Sequence, residues 1–293
     1  MNDIDFSKIY SYSKIKLFDQ CPQAYYFNYL DPVYSKMKSK LRREPENIWP
    51  FQTSGKAIHD ALTLFFYLSR DQQILSELKD QLKKTWRSEA MKNKVPPLGK
   101  WGGFKDLETE RRYYRQSLTM LANFYQLFDL KRKISYRPTV DLENSIEDYK
   151  ELVKPISKAV DISGKFDLIL EEKGGLEIVD FKTGQNEEAD NFQLWFYKLL
   201  AELNFDQLVT KASFYFLHHR QRKSFDLTEI KKEAIKESIL TKVKEIGRTK
   251  EFLPRPQPLC RYCLFRTFCP AKKEIAKFTQ EPVQGKLIED LPF

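Results

Sequence analysis

The sequence predicts a mixed α/β fold, with a helical N-terminal part ahead of a core of strands and helices. Three observations carry that prediction. The apolar period changes from 3.6 to 2 residues near residue 136. The turn Glu172-Lys173-Gly174-Gly175 joins two alternating runs, as a hairpin requires. Hydrophobic residues make up 41% of 293, with 22 Phe and 15 Tyr, enough for a sizeable core and too many for a disordered chain.

The elements follow in order. Ser11 to Leu30 reads as a helix capped by Ser11 or Ser13, with Pro22 positioned to split it in two. Asp31 to Pro50 carries three prolines and five bases and reads as a loop. Helices are expected over Ser54–Arg70, Asp71–Met91 and Leu107–Leu130, with a basic Pro/Gly-rich loop from Lys92 to Phe104. Strands are expected over Pro138–Asp148, Ala159–Leu170 and Leu176–Lys182. In the second, Val160, Ile162, Gly164, Phe166, Leu168 and Leu170 fall on one face. A helix over Asn186–Asn204, strands over Lys211–His218 and Ser224–Leu227, and a helix over Thr228–Gly247 complete the core. Pro254 to Phe293 holds three of the four cysteines and a polar tail.

Charge narrows the partners. The net is +9, yet Tyr136 to Asp190 carries 14 acids against 7 bases, a net of −7 that leaves +16 elsewhere. An acidic centre in a basic frame suits a cation site flanked by surfaces for a polyanion. No apolar run approaches the roughly 20 residues that cross a bilayer. The opening MNDIDFSKIY has no apolar core. The expected setting is cytoplasmic and reducing, with no membrane partner.

The central constellation lies on the third strand. Asp180 and Lys182 are two residues apart, so both point to one face, and Asp167 lies across the hairpin. Two converging carboxylates repel unless a cation sits between them, and Mg²⁺ or Mn²⁺ prefers such oxygens. A lysine beside the metal can position water or stabilise charge on phosphorus. Asp-x-Lys alone is common on surface strands; its neighbours make it specific. His59 stands early on a helix and can complete a Mn²⁺ shell. Gln193 and Tyr197, spaced i, i+4, share a helix face after the strand.

Gly55…His59, Gly164-Lys165-Phe166-Asp167, Asp180-Phe181-Lys182-Thr183-Gly184 and Gln193…Tyr197 together resemble the RecB-type nucleases of the PD-(D/E)XK superfamily. The opening Ser11-Tyr12-Ser13-Lys14-Ile15-Lys16 with Cys21-Pro22 resembles the start of that family. The resemblance implies a restriction-endonuclease-like core: a central mixed β-sheet flanked by helices. It implies metal held by His59, Asp167, Asp180 and a carbonyl near Phe181, with Lys182 catalytic and Gln193 and Tyr197 supporting. It implies a nuclease domain over residues 8–272, with a helical insertion at about 31–135 and a catalytic core at about 136–250. Residues 273–293 are left as a polar tail.

Cys260-x₂-Cys263-x₅-Cys269 and the distant Cys21 suit a four-thiolate site holding zinc or an iron–sulfur cluster. Spacing does not separate the two. The resemblance favours the [4Fe–4S] staple of the iron–sulfur branch, which includes CRISPR-adaptation nucleases and AddB-type subunits, with Zn²⁺ as the alternative.

The expected function is a metal-dependent deoxyribonuclease on single-stranded DNA or DNA ends, an exonuclease before an endonuclease, in repair or recombination. The competing reading is a non-catalytic DNA-binding accessory subunit of a helicase or CRISPR-adaptation complex. No Walker-type loop is present, so a helicase would be a separate polypeptide. Lys36–Arg43, Lys83–Lys100 and His218–Lys223 are candidates for phosphate contact, and Trp86, Trp101 and Phe104 for stacking on unpaired bases. The ending Leu287-Ile288-Glu289-Asp290-Leu291-Pro292-Phe293 weakly resembles the tail tip of single-stranded-DNA-binding proteins; a frayed polar end is the plainer reading.

Overall fold

A computed structural model describes residues 8–88, 91, 94–138, 152–185 and 190–279. Strand β1 (Ile9–Ser11) leads into α1 (Tyr12–Gln20), which Ser11 caps by accepting the Lys14 N–H at 3.2 Å. The expected long helix breaks at Cys21, and Pro22 opens α2 (Pro22–Tyr29) at the position where its missing N–H costs nothing. The stretch read as a loop contains α3 (Tyr34–Leu41). Its charge hides an apolar stripe: Tyr34, Met37 and Leu41 pack on Phe27 and Phe265.

Helices α4 (Pro50–Phe65), α5 (Leu75–Thr85) and α6 (Leu107–Leu127) follow. Helix α4 begins four residues before the expected Ser54, and α5 is shorter than the expected 71–91 at both ends. Asp106 caps α6 by accepting the Thr109 N–H at 2.7 Å.

The strands are β2 (Ile134–Tyr136), β3 (Leu152–Pro155), β4 (Asp161–Gly164), β5 (Leu168–Glu172) and β6 (Gly175–Lys182). The expected strand over 138–148 lies outside the described residues beyond Pro138. Helix α7 (Asn191–Phe205), β7 (Val209–Phe216), β8 (Gln221–Asp226), α8 (Lys232–Arg248) and α9 (Lys272–Thr279) complete the described chain. Helix α9 occupies the start of the stretch read as polar tail, with Ile275 buried beneath it.

The strands form two sheets. The larger has the order β2-β5-β6-β7-β8, and the smaller β1-β4-β3. In the larger, only β6 and β7 are parallel, and α7 is the crossover between them. Helices α4, α5 and α6 cover one face, over Leu168, Leu170, Val179 and Phe181. Helices α1, α7 and α8 cover the other, over Ile169, Ile178, Phe214 and Phe216. Burial of each such side chain contributes about 1.5–3 kcal/mol.

One difference from the sequence reading positions the site. The alternation over Ala159–Leu170 predicts one strand, but the chain makes two, β4 and β5, in different sheets. Val160, Ile162 and Phe166 enter the core beneath α7 and α8, whereas Leu168 and Leu170 enter the core beneath α4 to α6. The inward-facing phase therefore reverses at Asp167, which leaves the ladder just where the chain changes sheets.

Candidate active site

Strand β6 ends in Asp180-Phe181-Lys182, and alternation sends Phe181 into the core while Asp180 and Lys182 face α7. Lys182 Nζ stands 3.0 Å from Asp180 Oδ2 and donates to Gln193 Oε1 at 3.2 Å. Gln193 Nε2 donates back to Asp180 Oδ1 at 3.3 Å. The three side chains close a ring, and the ammonium lies 4.7 Å from the Phe214 ring centroid.

Helix α7 is held in that register by its cap. Asp190 Oδ1 accepts the N–H groups of Phe192 and Gln193 at 2.9 and 3.3 Å. Its other oxygen accepts the Tyr12 hydroxyl at 2.6 Å and pairs with Lys16 at 3.4 Å. Tyr12 and Asp190 thus tie α1 to the turn that carries Gln193. The sequence reading assigns neither a role; an acid directly before a helix start was the available signal.

Asp167 arrives from the sheet crossing. The β5–β6 ladder stops at Leu168 opposite Val179, and Asp167 Oδ2 then accepts the Phe181 N–H at 2.8 Å. Its Oδ1 lies 2.9 Å from His59 Nδ1 on α4. The Gly55…His59 spacing has a physical reason: a Cβ on Gly55 would come within 3.1 Å of Thr183 Oγ1, so glycine lets α4 close on the end of β6. Gly164 plays the same part on the other side, where a Cβ would stand 2.9 Å from Leu200 and 3.1 Å from Tyr197. Tyr197 packs on Phe166, with ring centroids 5.3 Å apart. His59, Asp167, Asp180, Phe181, Lys182 and Tyr197 line one open cleft of about 600 Å³. Gln193 stands behind it, joined through Asp180 and Lys182.

The two carboxylates are pushed apart in acidity. Burial raises the Asp180 pKa and Asp167 adds to the rise, so it ends above its ordinary value despite Lys182 and His59. Burial also works against Asp167, but His59, the Phe181 N–H and Lys182 together hold its pKa below the ordinary value. Burial opposes a charged His59, yet Asp167, with Asp180 and Asp60 beyond it, raises its pKa to about 9.

One imidazole and two carboxylates on a shared cleft are donors that suit Mg²⁺ or Mn²⁺. Among the described residues no three His, Cys, Asp or Glu side chains are set out to hold a metal ion as they stand. His59 is joined directly to Asp167, and Asp180 to Lys182.

The structure also brings Cys21 to the C-terminal trio. Cys21, Cys260, Cys263 and Cys269 line one small pocket with Phe265 and Ile275, and none is in a disulfide. The Arg255 N–H lies 3.5 Å from Cys21 Sγ, and the Gln257 N–H 3.3 Å from Cys260 Sγ. Gln257 Nε2 donates to Gln20 O at 2.9 Å, tying the segment to the end of α1. Burial raises the thiol pKa values of Cys260 and Cys269, and pushes Cys263 up to about 11. Four thiols around one cavity are a donor set that suits zinc or an iron–sulfur cluster.

Three of the expected DNA contacts are otherwise engaged. Arg222 pairs with the buried Glu177 at 2.6 Å, and Trp86 and Phe104 lie in the core. Among the described residues no helix is long and apolar enough to cross a membrane.

The Gene 69 protein of Mycobacterium phage L5 is 27% identical over 144 residues, 47% of this chain and 46% of that protein. The chain therefore matches less than half the length of that relative. The family model of the PD-(D/E)XK nuclease superfamily matches residues 9–270. Because that match runs from β1 past the last cysteine and takes in every residue of the site, the chain belongs to the PD-(D/E)XK nuclease superfamily.

Proposed function

We propose that the protein is a metal-dependent DNA nuclease that hydrolyses phosphodiester bonds of single strands or DNA ends, in repair or recombination. Members of the superfamily are generally phosphodiester hydrolases and typically use Mg²⁺ or Mn²⁺. The observation that carries the proposal is the Asp180–Lys182–Gln193 ring, at the end of β6 and beside Asp167 and His59.

In this reading His59, Asp167, Asp180 and the Phe181 carbonyl hold the cation. When bound, it lowers the pKa of water and offsets phosphate charge. Lys182 orients the attacking water and meets the negative charge that develops on the phosphoryl oxygens. The water oxygen bonds to phosphorus, the P–O bond to the leaving strand breaks, and the water proton passes to the departing oxygen. Gln193 fixes the Lys182 ammonium, and Tyr197 contacts a phosphate from the wall of the cleft.

The test is degradation of end-labelled single-stranded DNA with Mg²⁺ or Mn²⁺. Asp180→Ala and Lys182→Ala are expected to lose at least about 100-fold in rate. Rates equal to wild type would sink the assignment. An exonuclease degrades linear strands and spares circular ones. Tight DNA binding by wild type with no metal-dependent cleavage would instead favour the accessory-subunit reading.

We assign Cys21, Cys260, Cys263 and Cys269 to a [4Fe–4S] cluster that joins α1 to the C-terminal segment, with Zn²⁺ as the alternative occupant. The shared cavity supports this. The purified protein is expected to be brown and to contain iron and acid-labile sulfide. Cys263→Ala is expected to lose both and to melt lower by on the order of 10 °C. A colourless protein with stoichiometric zinc overturns the cluster. A separate helicase or CRISPR-adaptation partner rests on the resemblance alone.

A further inference from the structure

Unpaired bases need exposed aromatic faces, and the rings put forward from sequence do not all provide them. Trp86 and Phe104 are 1% and 2% exposed and stack on each other at 5.9 Å. Other rings stand in the cleft itself. Trp49 and Phe51 flank Pro50, the first residue of α4, and both meet Tyr262 edge to face, at 4.7 Å and 80° and at 5.3 Å and 90°. All three are partly exposed and line the same space as His59, Asp167, Asp180 and Lys182.

The charge around them is mixed, with cations in excess. Asp167 and Asp180 are the acids of the cleft wall, and Arg112, Lys165 and Lys182 are its cations. Rings interleaved with cations fit a polyanion that offers π-faces along its length, which is a single strand. A duplex keeps its base faces stacked inside, out of reach of such rings.

We propose that Trp49, Phe51 and Tyr262 form a stacking subsite for an unpaired nucleobase next to the phosphodiester at Lys182, with Tyr262 as the main contact. The proposal rests on the nuclease reading above and names the part of the substrate that this wall holds. It also gives the cysteine corner a consequence for the cleft. Tyr262 lies between Cys260 and Cys263 on one 3₁₀ turn, so order at those cysteines sets the position of the ring.

The test uses the full chain and two labelled short single strands, one normal and one with abasic sites, by fluorescence anisotropy without divalent cation. Wild type is expected to bind the normal strand at least roughly five-fold more tightly, the effect of losing one stacked base. Tyr262→Leu is expected to lose that preference while binding the abasic strand as wild type does; Tyr262→Phe is expected to keep it. Equal binding of both strands by wild type overturns the subsite, and this comparison needs no variant to fold. A preference that survives in both Tyr262→Leu and Trp49→Leu overturns it too. Cleavage by wild type without the preference strikes the subsite alone, whereas a wild type that neither binds nor cleaves DNA strikes the nuclease reading beneath it.

Discussion

The two ends of β6 each carry an acid, three residues apart, and treat it oppositely. Glu177 has a side chain with 0% exposure, and it is fully answered: Arg222 lies at 2.6 Å, Arg132 at 3.0 Å and Lys211 at 3.9 Å. Asp180 has Lys182 at 3.0 Å but also faces Asp167, and its pKa ends above the ordinary value. The first end is an ion network that ties β6, β7, β8 and the segment just before β2 together. The second is a carboxylate pair with a single cation for each acid, His59 on Asp167 and Lys182 on Asp180. The same strand thus separates an acid kept for the fold from one poised for a cation. What distinguishes them is the number of cations within reach and the exposure: the Glu177 side chain is fully buried, whereas that of Asp180 is 27% exposed to the cleft.

The sharpest way to break this contrast is to remove one charge from each end. Glu177→Gln leaves Arg132 and Arg222 facing a neutral amide inside the protein. The expected loss is about 3 kcal/mol or more in urea unfolding, with nuclease activity retained below the melting point. Asp180→Asn keeps the hydrogen-bonding shape and removes a like-charge repulsion. Its unfolding free energy is expected to match or slightly exceed that of wild type, while activity disappears. If Asp180→Asn costs as much stability as Glu177→Gln, the two ends are the same kind of site and the contrast fails.

How much of this was legible in the sequence depended on the range of the interaction. Period-2 alternation identified β6 and put Asp180 and Lys182 on one face, because side-chain direction in a strand is a local property. The hairpin turn and the helix carrying Gln193 and Tyr197 were legible for the same reason. Asp167 was named, but its geometry was not. An unbroken apolar alternation concealed a change of sheet, since Ile162, Phe166 and Leu168 are all buried, though in different cores. Helix α3 was hidden by its lysines, whose charged ends mask a stripe at Tyr34, Met37 and Leu41. The Tyr12–Asp190 bond spans 178 residues, and the Trp49–Tyr262 contact spans more. No local pattern encodes such pairs. Cys21 and the trio were grouped by chemistry alone, and the structure brings them to one cavity.

A smaller effect distinguishes the two ends by pH. Glu172, on β5, belongs to the Glu177 network: Arg132 and Lys211 each lie 3.1 Å from its Oε2. The Lys173 N–H and the Lys211 ammonium lower its pKa from 4.5 to about 2. A carboxylate that is more acidic in the folded state stabilises the fold when ionised. That contribution is fully present above pH 4.5 and is lost as pH falls through about 2. In wild type, unfolding free energy is therefore expected to drop between these limits by an extra amount that Glu172→Gln does not show. With the side chain one-quarter exposed, solvent screening brings the difference to about 1–2 kcal/mol. Urea titrations of both proteins at pH 5 and pH 3 measure it. A parallel decline in the two would mean that the network is held by packing around Glu177 rather than by its charges, and the cation count would no longer explain why this end of β6 is quiet.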